Sequence, residues 1–282
     1  MTPAAHDNDP LPPKVIASLR CSVCGAPVGL VDRTLSCENR HSFDLARQGY
    51  VNLLHARIPS GTADTAAMVA ARADLLGSGV YDPLADELAT HAEDGLIIDA
   101  GAGTGYYLAR VLDAAPGAYG LALDVSAIAL RRAARAHERA GAAVWNLWEP
   151  WPVASDSAEV ILNVFSPRNG PEFRRVLAPG GKLVVATPNP AHLIELADLV
   201  VSVDDRKAER VDATLGEHFT VAGRTEVTRT VELSPEQVRQ VVGMGPSAHH
   251  LHRDGRQERL DAITEPVDVT TSFTVSVYRP VL

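Results

Sequence analysis

Leu96-Ile-Ile-Asp99-Ala-Gly101-Ala-Gly103-Thr-Gly105 is the stretch that decides the fold of this chain. An apolar run that ends in an acid and a glycine-rich turn predicts a strand stopping at a ligand. Glycines there let the backbone turn tightly and approach that ligand with no Cβ in the way. A helix predicted from Tyr106 to Ala114 would present the free N–H groups of its first turn. The next apolar run, Gly120-Leu-Ala-Leu-Asp124, ends in a second acid, and a carboxylate there can accept from both hydroxyls of a ribose. The spacing is Gly-x-Gly-x-Gly, with Tyr106 where the dinucleotide fingerprint needs its third glycine. A tight turn with no ligand would explain the glycines but not Asp124.

Outward from this turn, apolar runs and helical stretches alternate. Strands are predicted near 96–99, 119–123, 143–146, 158–164 and 182–187, and helices near 105–114, 126–139, 170–177 and 190–200. That alternation implies an α/β domain with a doubly wound parallel sheet. Arg224 to Leu233 and Val267 to Val277 add two late strands around a helix at Ser234 to Val242. The glycine turn resembles motif I of class I S-adenosylmethionine methyltransferases, a Rossmann-like fold. Leu177-Ala-Pro-Gly-Gly-Lys-Leu-Val-Val185 is similar to the turn into that fold's fifth strand, and the late pair suits its antiparallel sixth and seventh strands.

A second constellation is Cys21-x2-Cys24-x12-Cys37-x3-His41, which uses all three cysteines of the chain. The spacing suits tetrahedral zinc held by two knuckles joined through a hairpin. Four protein ligands leave no position for a reacting water, so the predicted role is structural. Free or buried thiols with a surface His41 are the alternative. Three cysteines do not make a disulfide framework, and the start of the chain carries no secretory signal pattern, which points to the cytoplasm.

These features divide the 282 residues into four segments. Residues 1–18 are expected to be a flexible tail, since Met1 to Pro13 is polar and proline-containing. Residues 19–56 form a zinc-ribbon module. Residues 57–80 form a linker and connecting helix, entered through a loop at Pro59-Ser60-Gly61. Residues 81–282 form the methyltransferase domain. The net charge of −9 disfavours a nucleic-acid partner, because phosphate contacts need Lys and Arg. Between Lys14 and Arg57, however, six basic residues (Lys14, Arg20, Arg33, Arg40, Arg47, Arg57) face three acids (Asp32, Glu38, Asp44), so the zinc module is locally positive. No apolar run is long enough to cross a bilayer.

Together the two modules resemble the RlmA family of 23S ribosomal RNA guanine-N1 methyltransferases, and within it the tylosin-resistance branch. The matching stretches include Cys37-Glu-Asn-Arg-His41-Ser-Phe-Asp44, Arg47-Gln-Gly-Tyr-Val-Asn-Leu-Leu54, Met68-Val-Ala-Ala-Arg72, Asn163-Val-Phe-Ser-Pro-Arg168 and Thr187-Pro188 with His192-Leu193. The resemblance implies zinc on Cys21, Cys24, Cys37 and His41. It implies S-adenosylmethionine on Tyr81, Asp99, Gly101, Gly103, Gly105, Tyr107, Leu108, Asp124 and His192. It also implies a homodimer acting on a 23S rRNA hairpin. Tyr81 and Tyr107 could otherwise be aromatics packed at helix ends, and His192 a cap or surface residue.

Guanine N1 lies on the pairing edge and carries a proton, so the base must be unpaired or flipped and the proton accepted. Asn163, Phe165 and Arg168 are the candidates for this chemistry. Asn163 could pair with the guanine edge, Phe165 could stack on it, and Arg168 could hold O6 or a phosphate. Asn163 could equally be buried in the sheet and Phe165 be core. The base stays open among His192, a more distant acid and water. The zinc module either grips RNA through Lys14, Arg33, Arg40 and Arg47 or only props the domain interface. A small-molecule methyltransferase and a non-catalytic RNA-binding module are the rival readings.

Overall fold

Strands form where β-branched and aliphatic residues run together, and the order in which they pair sets the position of the site. The computed structural model describes residues 11–55, 64–201, 204, 207–245, 247–248 and 255–281. Residues 1–10 of the expected tail, 56 of the expected zinc module and 57–63 of the expected linker, Arg57 included, lie outside them. In the N-terminal module, helix α1 (Pro13–Ser18) precedes a three-stranded antiparallel sheet of β1 (Val28–Val31), β2 (Thr34–Cys37) and β3 (Ser42–Asp44), followed by β4 (Val51–Asn52). Helices α2 (Ala66–Gly77) and α3 (Asp82–Ala89) lead to the alternating part. That part runs β5 (Gly95–Ala100), α4 (Tyr106–Ala114), β6 (Ala118–Asp124), α5 (Ala127–Ala133), β7 (Ala140–Val144), β8 (Ala158–Val164), α6 (Gly170–Val176) and β9 (Leu177–Pro188). It closes with α7 (Lys207–Leu215), β10 (Phe219–Leu233), α8 (Pro235–Gly243), α9 (Arg256–Asp261) and β11 (Val267–Pro280).

The main sheet has the order β10-β11-β9-β8-β5-β6-β7-β4. β4 through β9 pair in parallel, while β11 lies antiparallel to both β9 and β10. The chain winds outward one way from β5 through β6 and β7, then returns to start again at β8. At such a reversal the two helical connections diverge and leave a crevice beyond the carboxyl ends of the strands. Asp99 and Asn163 stand at those ends. This is the Rossmann-like methyltransferase architecture that the glycine turn predicts.

Side chains alternate across the strands, so the sheet carries two cores. Ile97, Ala122, Leu162 and Val184 pack under α2, α3, α4 and α8. Ile98, Leu121, Leu123 and Val185 face the other way and share their core with Leu35, Leu45, Val51 and Leu53 of the zinc module. The module therefore covers one face of the catalytic sheet, and β4 extends its edge by pairing with β7. No helix among the described residues is long and apolar enough to cross a membrane.

Three local expectations are corrected. The segment 11–18, assigned by composition to a flexible tail, forms α1 over Pro13–Ser18 and is docked through Leu11 and Val15, both fully buried. Their side chains sit over Gly141, where a Cβ would come within 2.8 Å of Leu11 Cδ2 and 2.9 Å of Val15 Cγ1. Two apolar residues that fit a bare stretch of β7 outweigh a polar average. The helix expected over 126–139 ends at Ala133. Arg139 instead turns inward and donates to the carbonyls of Ala115 and Ala118 at 2.7 and 2.6 Å. The helix expected over 190–200 is a single 3-10 turn, Ile194–Leu196. There Leu193 adopts a left-handed φ of 57° and donates to Thr270 O at 2.7 Å, while the Glu195 carboxylate accepts from Thr270 N at 2.8 Å. Docking on β11 overrides helix propensity.

Leu11→Ala should lower unfolding stability by about 2–5 kcal/mol in urea denaturation, as for other fully buried leucines. An unchanged midpoint would show that this segment is not docked in solution.

Candidate functional site

The metal centre comes from two turns that bring sulfur and nitrogen to one point. In the first, Gly25 (φ 75°) donates to Cys21 O and Cys21 N donates to Ala26 O, both at 2.8 Å. In the second, Arg40 (φ 63°) donates to Cys37 O at 3.0 Å and Cys37 N to His41 O at 3.1 Å. The Sγ atoms of Cys21, Cys24 and Cys37 and a His41 ring nitrogen all lie within 4.8 Å of one another. Cys24 Sγ and Cys37 Sγ are 3.8 Å apart, and His41 Nδ1 is 3.4 and 3.5 Å from the sulfurs of Cys21 and Cys37. A tetrahedron with zinc–sulfur bonds of about 2.3 Å has edges of about 3.8 Å between sulfurs. The cluster fits a four-ligand zinc ion. Asn39 Nδ2 donates to Cys24 Sγ at 3.3 Å and pulls that thiol down to about 6, toward the thiolate a metal requires. Burial pushes Cys21 the other way.

The cofactor turn is fastened to the end of β6. Gly101 N and Ala102 N both donate to Leu123 O, at 2.8 and 3.1 Å, and Gly103 N donates to Asp124 Oδ2 at 2.8 Å. Ser126 N donates to Asp124 Oδ1 at 2.8 Å. Each Asp124 oxygen therefore braces the backbone and keeps a further lone pair for a ribose hydroxyl. A Cβ on Gly101 would strike Ser166 Cβ at 2.3 Å, and one on Gly105 would strike Ala133 Cα at 2.8 Å. Asp99 is buried, and neither carboxylate oxygen has a hydrogen-bond partner among the described residues. Burial, aided by the Asp124 charge, pushes its carboxyl up to about 8. Two orphaned acceptors beside a glycine turn fit S-adenosylmethionine, whose ammonium supplies the missing donor. Leu108 is 1% exposed and packs in the core, so only its backbone is available to a ligand.

At the end of β8 the chain turns sharply. Asn163 is fully buried, and its Nδ2 donates to Ser166 Oγ at 2.6 Å and Pro167 O at 2.8 Å, leaving Oδ1 without a partner. Ser166 Oγ in turn donates to Ala100 O. This brace holds Phe165 at a left-handed φ of 55° with its ring 42% exposed. A bulky residue in that region stores strain, which points to a functional constraint. Phe165 lies 6.4 Å from Tyr107 and 5.5 Å from Phe273 between ring centroids. Phe273 also touches Tyr81 at 5.1 Å and His192 at 4.5 Å.

His192 Nδ1 accepts from Ser272 N at 3.3 Å, so in the neutral ring the hydrogen sits on Nε2, 3.2 Å from the Tyr81 hydroxyl. Both ring nitrogens are engaged, Nδ1 by Ser272 N and Nε2 by the Tyr81 hydroxyl, so His192 helps to orient Tyr81.

The structure thus brings Asp99, Gly101, Gly103, Gly105 and Asp124 together at the turn, and joins Tyr81, Phe165 and His192 through Phe273, with Tyr107 reached through Phe165. Arg168 stands apart. Its guanidinium is partly buried near Tyr278, Nε has no partner among the described residues, and burial lowers its pKa. Phe273 escaped the sequence reading because a phenylalanine in a strand is indistinguishable from core. Arg72, with Nη1 3.5 Å from a Cβ on Gly103, pairs with Asp64 and donates to Met244 O at 2.7 Å. Only its place in a matching stretch marked it.

Asp99→Asn should raise the melting temperature of the cofactor-free protein at pH 8 and weaken S-adenosylmethionine binding at least tenfold. In the cofactor-free protein Asp99 keeps its proton up to about 8, whereas the unfolded chain releases it near 3.8. Its contribution to stability is therefore present below pH 4 and lost as pH rises toward 8. Cofactor binding at pH 7 should release a proton, visible as a buffer-dependent heat in titration calorimetry. A buffer-independent heat would remove Asp99 from the ammonium site.

Residues 19–57 match the family described as "RlmA, N-terminal", a zinc ribbon. A protein named as a 23S rRNA (guanine-N1)-methyltransferase of Micromonospora griseorubida is 48% identical, over 95% of this chain and 99% of its own. The 23S rRNA (guanine(748)-N1)-methyltransferase of Streptomyces fradiae is 46% identical, over 94% of this chain and 98% of its own. A Bacillus subtilis relative with a name of the same kind is 33% identical over 71% of this chain and 74% of its own. Identity of this extent spans the metal centre, the glycine turn and the β8 loop alike, and the chain belongs to the RlmA family of 23S rRNA (guanine-N1)-methyltransferases.

Proposed function

We propose that this chain transfers a methyl group from S-adenosylmethionine to N1 of an unpaired guanine in a 23S rRNA hairpin loop, the guanine 748 in the name of the Streptomyces fradiae relative. The observation that carries this reading is the strained, exposed Phe165 held beside the cofactor turn, a ready surface for a flipped base. When bound, the cofactor supplies an electron-poor methyl carbon. The protein's own work is placement. Gly101, Gly103 and Asp124 fix the cofactor's position, while Phe165 and the aromatic floor of Phe273 and Tyr107 align the guanine plane with it. N1 carries a proton in the neutral base, so the site needs an acceptor at the pairing edge. The Asn163 amide is too weakly basic to take that proton, which passes to His192, a more distant acid or water; its buried Oδ1, without a partner among the described residues, can only accept a hydrogen bond.

The zinc module grips the RNA backbone in this reading. Lys14 is engaged over the Tyr119 ring at 5.3 Å, and Arg33 donates to Ala46 O at 2.6 Å. Arg40 and Arg47 are exposed and have no ion-pair partner among the described residues, so they are the phosphate contacts. A cytoplasmic setting is supported by the reduced thiols the metal centre requires. A homodimer is supported by β10, which has no neighbour on its outer side among the described residues. A methyl on a drug-tunnel guanine supports macrolide resistance as the biological outcome.

Incubation with labelled S-adenosylmethionine and unmodified 23S RNA should give a primer-extension stop at one hairpin guanine, because an N1 methyl blocks pairing. Tight cofactor binding with no incorporation into RNA or ribosomal particles would favour a small-molecule substrate. Phe165→Ala should raise the KM for RNA by about tenfold, with cofactor affinity unchanged. A sensitive host that expresses the chain should tolerate more tylosin-type drug, and an unchanged inhibitory concentration would confine the mark to housekeeping.

A further inference from the structure

The chain has three tryptophans, and they are treated differently. Trp145 and Trp151 are 4% and 3% exposed, whereas Trp148 is 64% exposed. Its exposure is not that of a loose loop. Leu147 O accepts from Asn169 Nδ2 at 2.9 Å and from Trp151 Nε1 at 3.1 Å. Trp151 N donates to the Glu172 carboxylate at 2.6 Å, and the Trp151 ring packs on Phe173 at 5.5 Å. Asn146 Oδ1 accepts from Trp148 N at 3.2 Å, and Asn146 O accepts from Glu149 N at 3.0 Å. The backbone on both sides is pinned, and the largest apolar side chain of the segment faces water.

Its position is equally specific. A Cβ placed on Gly101 would lie 3.6 Å from Leu147 Cδ1 and 2.3 Å from Ser166 Cβ. Trp148 follows Leu147 and Phe165 precedes Ser166. These two are the exposed Trp, Tyr or Phe side chains among the described residues, and each is the chain neighbour of a residue whose side chain approaches Gly101 of the cofactor turn. We propose that Trp148 is a nucleobase platform, stacking on a base next to the target guanine in the RNA loop.

The proposal rests on RNA being the substrate and adds a second base-binding position to it. Drawing a guanine into the crevice strips its neighbour of a stacking partner. An exposed indole on a held backbone, next in the chain to a residue that approaches Gly101, replaces that partner, and any base serves because each has a π-face. Glu149 beside it is an acid, so this contact holds a base and not a phosphate.

The test uses the full chain with S-adenosylhomocysteine and a hairpin RNA carrying the target loop. Trp148→Ala should weaken RNA binding by about 10- to 100-fold, with Trp148→Phe recovering part of the loss. The salt dependence should keep its slope, in contrast to Arg40→Ala or Arg47→Ala. Fluorescence present in the wild type and missing in Trp148→Phe should be quenched as RNA is added. An abasic nucleotide beside the target should remove the effect of Trp148→Ala, the result of a double-mutant cycle on two touching groups.

Equal RNA binding by wild type and Trp148→Ala would overturn the inference and leave the methyltransferase reading intact. Loss of cofactor affinity in Trp148→Ala would assign the indole to the cofactor's adenine and overturn it as well. Trp148-dependent RNA binding with no methyl transfer would uphold the platform while refuting the proposed reaction. A wild type that binds no RNA would refute both.

Discussion

Three backbone hydrogen bonds hold the loop after β5 against the end of β6, and the site depends on them. Gly101 and Ala102 share Leu123 O, and Gly103 uses the carboxylate of Asp124. An acid otherwise read as a ribose ligand is thus also the clasp of the glycine turn. Because the clasp is made from inside, the turn does not rely on cofactor for its shape, and the N-terminal end of α4 is aimed in advance. The cost appears two residues before Gly101, where Asp99 is buried with neither oxygen partnered among the described residues. A buried carboxyl without partners destabilises the free protein and strengthens any cation that reaches it.

The metal centre is tied to this clasp through packed groups. His55 Nε2 donates to Ser22 O, between two zinc ligands, at 2.6 Å. The same ring meets Trp145 edge-on at 5.7 Å, and Trp145 N donates to Asp124 O at 2.9 Å. Leu35, Leu45, Val51 and Leu53 share one core with Leu121 and Leu123 of β6. The ribbon is therefore a wall of the catalytic domain as well as its proposed RNA grip, so the two readings of it, grip or prop, do not compete.

Much of this was legible in the chain because the determining signals are local. Apolar runs ending in Asp99 and Asp124 mark β5 and β6, and four ligands at knuckle spacing mark the metal. The errors fall where a distant partner decides. Leu11 and Val15 dock over Gly141, which leaves them room, and beyond the end of α5 Arg139 turns inward to distant carbonyls. Leu193 leaves helical geometry to reach Thr270. The same holds within the site. Asn163 reads as a base-pairing amide, yet its nitrogen is spent on Ser166 and Pro167, and only the fold shows which atom is left. Phe273 carries no local mark, since its value lies in touching Tyr81, Phe165 and His192 at once.

An acidic protein that handles RNA must solve an electrostatic problem, and the distribution of its cations shows how. Arg72, Arg110, Arg175, Arg210 and Arg224 are spent on carboxylates of the same chain. Arg40 and Arg47 on the ribbon keep their charge for solvent, and so do Arg131, Arg132 and Arg135 at the end of α5, since none has an ion-pair partner among the described residues. A net charge of −9 with so few unspent arginines cannot hold a long duplex tightly, and non-specific RNA gains little from it. In the proposed reaction, binding energy comes from groups that reward an unstacked loop, for which Phe165 and Trp148 are the exposed aromatic side chains among the described residues. Such a protein favours a single-stranded base over a helix because it has aromatic rings to offer at the site and little excess charge around it.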